Sequence, residues 1–297
     1  YINIAYDALL CLPTCAATSD RTSLSLRDFG TCDVGAFTLF VQESTQTPPC
    51  ANGTYCIGGL FLEFDNSSLP AVGTLTAVRG EVRLDQPGAG QVTLDLDFLD
   101  KAEDGSEGPP DSEVLTGTYT CAASGRVTIT VPLGGGDPDL VLQGFATPDG
   151  QMIYLQDFSA NTQVGIAMLV RKGAGTPPLI DYYVAGVDFE FVGAPAVPRR
   201  ENATLGTSIV TTRLPGALNV LGTSRTRSNF MVGVMPGQTV LQATLNALAG
   251  GGLEYNLDPA GANLRFLGAL SANGRFGVAL LGNPDLTDTS IRFFFPR

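Results

Sequence analysis

The chain has 297 residues, with 17 Lys and Arg against 29 Asp and Glu, a net charge of −12 and no His. Its length suits about two domains. The acidic balance argues against a phosphate-binding surface, and the missing imidazole excludes Ser-His-Asp and Cys-His nucleophiles. Gly at 36 and Pro at 19, with no long helical pattern, predict an all-β protein of short strands and tight turns. No apolar run reaches 18 residues, so the expectation is a soluble or membrane-peripheral chain without a transmembrane helix.

Residues 1–58 read as a Cys-rich N-terminal extension. Tyr1 in place of an initiator Met fits a processed chain. Five of the six cysteines, Cys11, Cys15, Cys32, Cys50 and Cys56, lie in this extension, and Cys121 is the sixth. Zinc needs thiolate or imidazole sets at short spacings such as C-x2-C, and none is present. Disulfides are therefore expected, and with them an extracytoplasmic setting, whether secreted, cell-surface or periplasmic. Cys50 and Cys56 bracket the turn-like ANGTY and are the first pair expected, with Cys11 and Cys15 second. The stretch from Val34 to Ser44 reads as a strand. The N-x-S/T triplets at Asn52, Asn66 and Asn202 read as chance.

Residues 59–172 form a first repeat. Eight strands are predicted near 59–64, 73–84, 91–99, 115–121, 126–132, 139–146, 151–157 and 163–171. The clearest places Leu94, Leu96 and Phe98 on one face and Thr93, Asp95 and Asp97 on the other, the alternation of a half-buried antiparallel strand. Ser124-Gly125 and Asp149-Gly150 supply hairpin turns. Successive hairpins make a meander, which closes as an up-and-down barrel or stacks as a β-sandwich. The barrel is preferred because it leaves no exposed sheet edge. Asp97, Asp100, Glu103, Asp104 and Glu107 are candidate calcium ligands, being hard oxygens clustered in one loop. Their spacing departs from that of an EF-hand, so the segment reads as a solvated acidic loop.

A Pro-containing linker, 173–185, leads to a second repeat at 186–297. GLFLEF from Gly59 returns as GVDFEF from Gly186, an offset of 127. The segment opening GFATPDGQ at Gly144 returns as GALSANGR at Gly268, an offset of 124. The first repeat carries −10 and the second +2, which suits contacts of opposite sign between neighbouring copies. The last strand of each repeat is apolar on both faces. Ile166, Met168 and Val170 oppose Ala167 and Leu169, and Ile291, Phe293 and Phe295 flank Phe294. Such strands want a cover, which the extension, the sister repeat or another subunit would supply. If a barrel encloses a small apolar ligand, strands bearing Val127, Ile129, Ile153, Leu155, Phe276 and Val278 would line it.

The run GTYTCAASGRVTITV, LVLQGFATPDGQMIYL, VGIAMLVRKG and then YYVAGVDFEF resembles the tandem calycin-like or lipocalin-like β-barrel repeats of secreted and surface proteins of high-GC bacteria. The resemblance covers roughly 59–297 and implies barrels and an extracytoplasmic setting. With no Trp in the chain, no ligand-binding residue carries over. For a Ser-Lys scheme only Lys101 and Lys172 exist, one in an acidic loop and one in the linker, and no carboxylate pair stands out. The expectation is a non-enzymatic structural or interaction protein without catalytic residues or cofactor, associating with itself or with other surface proteins. The alternative is a lipocalin-like carrier of a small apolar ligand.

Overall fold

The computed structural model describes residues 13–17, 23–28, 38–41, 52–65, 72–86, 89–102, 111–136, 138–157, 159, 163–190, 200–209, 218–228, 231–257, 264–281 and 288–296. Three short strands, β1 (Pro13–Ala17), β2 (Ser23–Asp28) and β3 (Thr38–Val41), pair antiparallel in that order.

The next eight strands are β4 (Gly53–Asp65), β5 (Val72–Leu84), β6 (Ala89–Ala102), β7 (Asp111–Cys121), β8 (Arg126–Val131), β9 (Leu140–Ala146), β10 (Met152–Asp157) and β11 (Gln163–Arg171). Each bonds to its neighbours in sequence, and β11 bonds back to β4, closing a barrel. The remaining eight are β12 (Tyr182–Glu190), β13 (Arg200–Ile209), β14 (Leu218–Ser228), β15 (Met231–Ala247), β16 (Gly252–Leu257), β17 (Leu264–Leu270), β18 (Gly277–Leu281) and β19 (Asp288–Pro296). They close in the same order, β19 onto β12. A 3-10 turn at Ala249–Gly251 joins β15 to β16. The fold is all-β, and the meander closes as barrels rather than stacking as a sandwich. Three strands start clearly earlier than the sequence pattern suggested, β4 at Gly53, β7 at Asp111 and β12 at Tyr182, because the first residues of each strand lack alternating polarity.

Period-2 alternation sorts the first barrel's side chains. Val92, Leu94 and Leu96 of β6 point inward, and Asp95 and Asp97 face solvent. With Tyr55, Val82, Ile129, Leu155 and others they form one contiguous core. Eight strands leave an interior just wide enough for such side chains, and here they occupy it.

The outer faces that looked over-apolar in sequence meet each other. Leu60 of β4, Met168 and Val170 of β11 and Tyr154 of β10 pack against Val278 of β18 and Phe293 of β19 in a second buried cluster that spans both barrels. The cover is thus the sister barrel. Glycine makes the approach close: a Cβ on Gly58 would lie 2.6 Å from Cγ2 of Val278.

The β9–β10 and β17–β18 turns share one hydrogen-bond pattern. Thr147 Oγ1 donates to Asp149 Oδ1 (2.7 Å), and Ser271 Oγ to Asn273 Oδ1 (2.8 Å). The amide of Met152 donates to Thr147 Oγ1, as that of Phe276 does to Ser271 Oγ. Tyr55 donates its hydroxyl to the Gly150 carbonyl (3.2 Å), and Tyr182 to that of Gly274 (2.6 Å). Both glycines adopt positive φ, 64° and 70°, the left-handed conformation these turns require.

Candidate functional site: the cleft between the barrels

Where the barrels diverge from their apolar seam, a cleft of about 430 Å³ opens. Its first wall is built by outward-facing residues of β4, β5 and β6, chiefly Cys56, Gly58, Arg79, Glu81 and Asp97. Its second wall is built by β17 and β18, including Leu267 and Leu280, with Gly250 and Gly252 at one side. Lys172, just beyond β11, closes the rim. On β5 the backbone passes so near β6 that a Cβ on Gly80 would meet the Asp95 carbonyl at 2.0 Å. Only glycine fits there, and its φ of 149° suits it as well.

The charges of this cleft are satisfied in pairs. Arg79 Nε lies 3.4 Å from Asp97 Oδ2, and Ser112 Oγ donates to Asp97 Oδ1 at 2.8 Å. Lys172 Nζ donates to Glu81 Oε1, and that hydrogen bond raises the lysine pKa above its ordinary value. The Lys172 amine is therefore held protonated, unsuited to a base or nucleophile. Burial pushes the Cys56 thiol pKa up; nearby Lys172 works against this and Glu81 adds to it. A thiol held protonated is a poor nucleophile and a poor metal ligand. The cleft offers shape, an apolar floor and a neutralised polar rim.

Cys56 is a free thiol, which overturns the expected Cys50–Cys56 disulfide. Residues Gly53 to Cys56 run as extended strand rather than turn, and the side chain of Cys56 packs at the inter-barrel seam. Cys121, at the end of β7, is disulfide-bonded. Cys15 lies on β1, where side chains are not described, while Cys11, Cys32 and Cys50 lie outside the described residues. So the Cys11–Cys15 pairing does too.

Of the candidate calcium ligands, Asp97 is exposed on β6 and engaged by Arg79 and Ser112. Asp100 lies on the same strand, its side chain not described, and Glu103, Asp104 and Glu107 lie outside the described residues. Among the described residues no three acids, cysteines or histidines gather as metal ligands would.

Of the candidate interior residues, Val127, Ile129, Ile153 and Leu155 point into the first barrel as expected. Phe276 and Val278 do not line the second barrel; they belong to the seam. Alternation along β18 fixed which residues share a face, but both faces are apolar, so the phase was undetermined. The sequence reading also missed Arg292. It is 4 % exposed, and its guanidinium sits 4.6 Å from the ring centroid of Phe266, an inward-facing member of the second barrel's core. Its neighbours in β19, Ile291 and Phe293, face the seam. A charge alternating with seam residues is the signal that could have placed it.

No family model matches the chain, and no curated protein sequence matches it. Among solved structures it is similar to a mutant of the vaccine antigen transferrin binding protein B from Haemophilus parasuis Hp5. Identity is 10 % over 96 % of this chain and 84 % of that one, with a TM-score of 0.26. It is also similar to intact Ap-TbpB with N and C lobes, at 8 % identity over 95 % and 85 % and a TM-score of 0.28. A third is the isotype 1 transferrin binding protein B of serogroup B Neisseria meningitidis, at 8 % identity over 95 % and 84 % and a TM-score of 0.27. At those TM-scores the likeness carries no role over to this chain. Among the described residues no helix is long and apolar enough to cross a membrane.

Proposed function

We propose that this chain is a non-enzymatic, exported interaction protein, a duplicated pair of barrels that works through its outer surface, binding copies of itself or other surface proteins. The observation that carries the reading is the use already made of its apolar surface. The first barrel's interior is filled by its own side chains, and the apolar outer faces are spent on the seam. What remains for partners among the described residues is a mainly polar wall, with Val114, Leu133, Phe145 and Leu248 exposed on it.

That wall is unequal at its two ends. In the first barrel β7, away from the seam, exposes Asp111 and Glu113. In the second barrel β14, also away from the seam, carries Arg225 and Arg227, with Glu201 of β13 opposite Arg227 in register. An acidic end and an arginine-bearing end favour head-to-tail contact between copies, a heterologous geometry that extends into rings or filaments. The disulfide at Cys121 supports an oxidising, extracytoplasmic setting. The predominance of Arg, with Lys101 and Lys172 the only lysines, supports a high-GC bacterial origin.

Light scattering over a range of protein and salt concentrations tests the reading. The expected result is a mass that grows with protein concentration and falls with salt, since the contacts are electrostatic. A chain that stays monomeric at high concentration and low salt, and retains no partner when purified gently from its source, overturns it.

A further inference from the structure

The two barrels close in the same strand order, so one level of the first can be laid on the same level of the second. In the first barrel Gly59 pairs with Val78 and Ala167, Val78 with Phe98, and Ala167 with Leu155. In the second, Gly186 pairs with Thr204 and Arg292, Thr204 with Ser224, and Arg292 with Ala279. Val78, Ala167 and Leu155 belong to the first barrel's apolar interior, and Phe98 packs against it. At this level the second barrel carries Thr for Val, Ser for Phe, Ala for Leu and Arg for Ala. Three of the four exchanges remove volume, and the fourth brings a charge inside.

Arg292 is 4 % exposed and alternates along β19 with Phe294 of the second barrel's core. Its guanidinium lies over the Phe266 ring, 4.6 Å from the centroid, and Nη1 donates to the Ile291 carbonyl (3.1 Å). Burial raises the pKa of the Tyr255 hydroxyl, and the Arg292 charge works against that rise, so the cation is felt across the interior. A guanidinium has five N–H donors in a planar fork, enough to hold a chain carbonyl and a bidentate oxyanion together.

We infer that the second barrel encloses a small hydroxylated monocarboxylate, its carboxylate held by Arg292 at the level of Gly186, Thr204 and Ser224. Charge, space and polarity each select that class. The planar fork matches a carboxylate better than a lysine would. Protein interiors pack as densely as organic crystals, and a polar space released inside one is filled by water or a ligand. Here Phe98 and Leu155 give way to Ser224 and Ala279, and the register sets two hydroxyl-bearing residues, Thr204 and Ser224, beside Gly186. Asp188, opposite Ser290 and in phase with Gly186, stands where the first barrel has Phe61. An acidic residue one pleat from Arg292 disfavours a second negative charge on the ligand.

The interior and the outer walls are separate surfaces. A loaded second barrel is therefore compatible with assembly through those walls, each copy carrying its own ligand.

Isothermal titration calorimetry of the full chain after exhaustive dialysis tests the site, with sodium lactate, glycerate and gluconate as probes. Glucose serves as the neutral control, glucarate as the dianion and sodium chloride as the simple anion. The expected result is one hydroxycarboxylate bound per chain, no heat from glucose or chloride, and weaker binding of glucarate. Arg292→Lys keeps the charge and loses the fork, and should weaken binding by about tenfold or more, as a lost charge-assisted hydrogen bond does. Ala279→Leu restores the residue of the first barrel and should block binding by filling the space. Titration of the unmodified chain decides the matter if a variant fails to fold. No binding of any of the three probes at millimolar concentration overturns the inference, as does binding that Arg292→Lys leaves unchanged. Loss of folding in Asp188→Asn, with no probe bound by the unmodified chain, would instead identify an internal ion pair and overturn it too.

Discussion

Asp149 and Asn273 occupy the same position in two turns 124 residues apart, and the two turns touch. Asn273 Nδ2 donates to Asp149 Oδ2 at 3.4 Å, and Arg275 Nη1 lies 3.9 Å from the same oxygen. Within its own turn each accepts the same pair of hydrogen bonds. Their difference, acid against amide, is what allows the turns to meet. Replacing Asn273 by Asp should remove a donor and oppose two carboxylates, costing about 1 kcal/mol at low salt. Asp149→Asn should cost less. Urea denaturation of both variants checks this, and added salt should recover part of the Asn273→Asp loss.

Tyr55→Phe and Tyr182→Phe each delete one buried hydroxyl that ties a strand start to a turn carbonyl. Each should cost about 1–3 kcal/mol, because the carbonyl of Gly150 or Gly274 loses its donor in a buried place. The shorter bond of Tyr182, 2.6 Å against 3.2 Å, predicts the larger loss there. Denaturant midpoints with unchanged slopes would confirm that stability alone has moved.

Gly58→Ala should destabilise the chain by about 1–3 kcal/mol through overpacking, since its Cβ would press on Val278 Cγ2. Combined with Val278→Ala, the loss should be smaller than the sum of the two single losses. Such non-additivity marks a direct contact across the seam, and strict additivity would place the two residues apart.

Much of the barrel was legible because both of its rules are local. Leu94 and Leu96 alternate with Asp95 and Asp97, and Asp149-Gly150 and Asn273-Gly274 mark turns whose glycines take positive φ. The cleft and the seam were not legible. Met168, Val278 and Phe293 sit in strands that are apolar on both faces, so periodicity gives the spacing of a face without saying which face is inside. Cys56 shows the same limit: its nearness to Cys50 in sequence suggested a bond, and three residues of extended strand were enough to carry it to the seam.

Alkaline titration has a definite sign. Burial raises the Tyr154 pKa from its ordinary value to about 12, with the hydrogen bond from Gln156 working the other way. Burial raises those of Tyr182 and Tyr255 too. A folded pKa above the unfolded one means the native state holds its proton longer. The stability tied to these tyrosines is complete below about pH 10 and declines as pH rises through about 12. Absorbance at the tyrosinate band should show Tyr154, Tyr182 and Tyr255 ionising only above the rest or on unfolding. The Tyr154→Phe variant should lose its share of the decline.

Native mass spectrometry of the chain, purified gently from its source with and without reductant, tests the claim that this double barrel acts through its surface. The account predicts masses at integer multiples of the 31.0 kDa chain, or the chain with other proteins attached, in both conditions. A monomer carrying a constant extra few hundred daltons, roughly the size one small barrel encloses, would contradict it and identify a carrier instead.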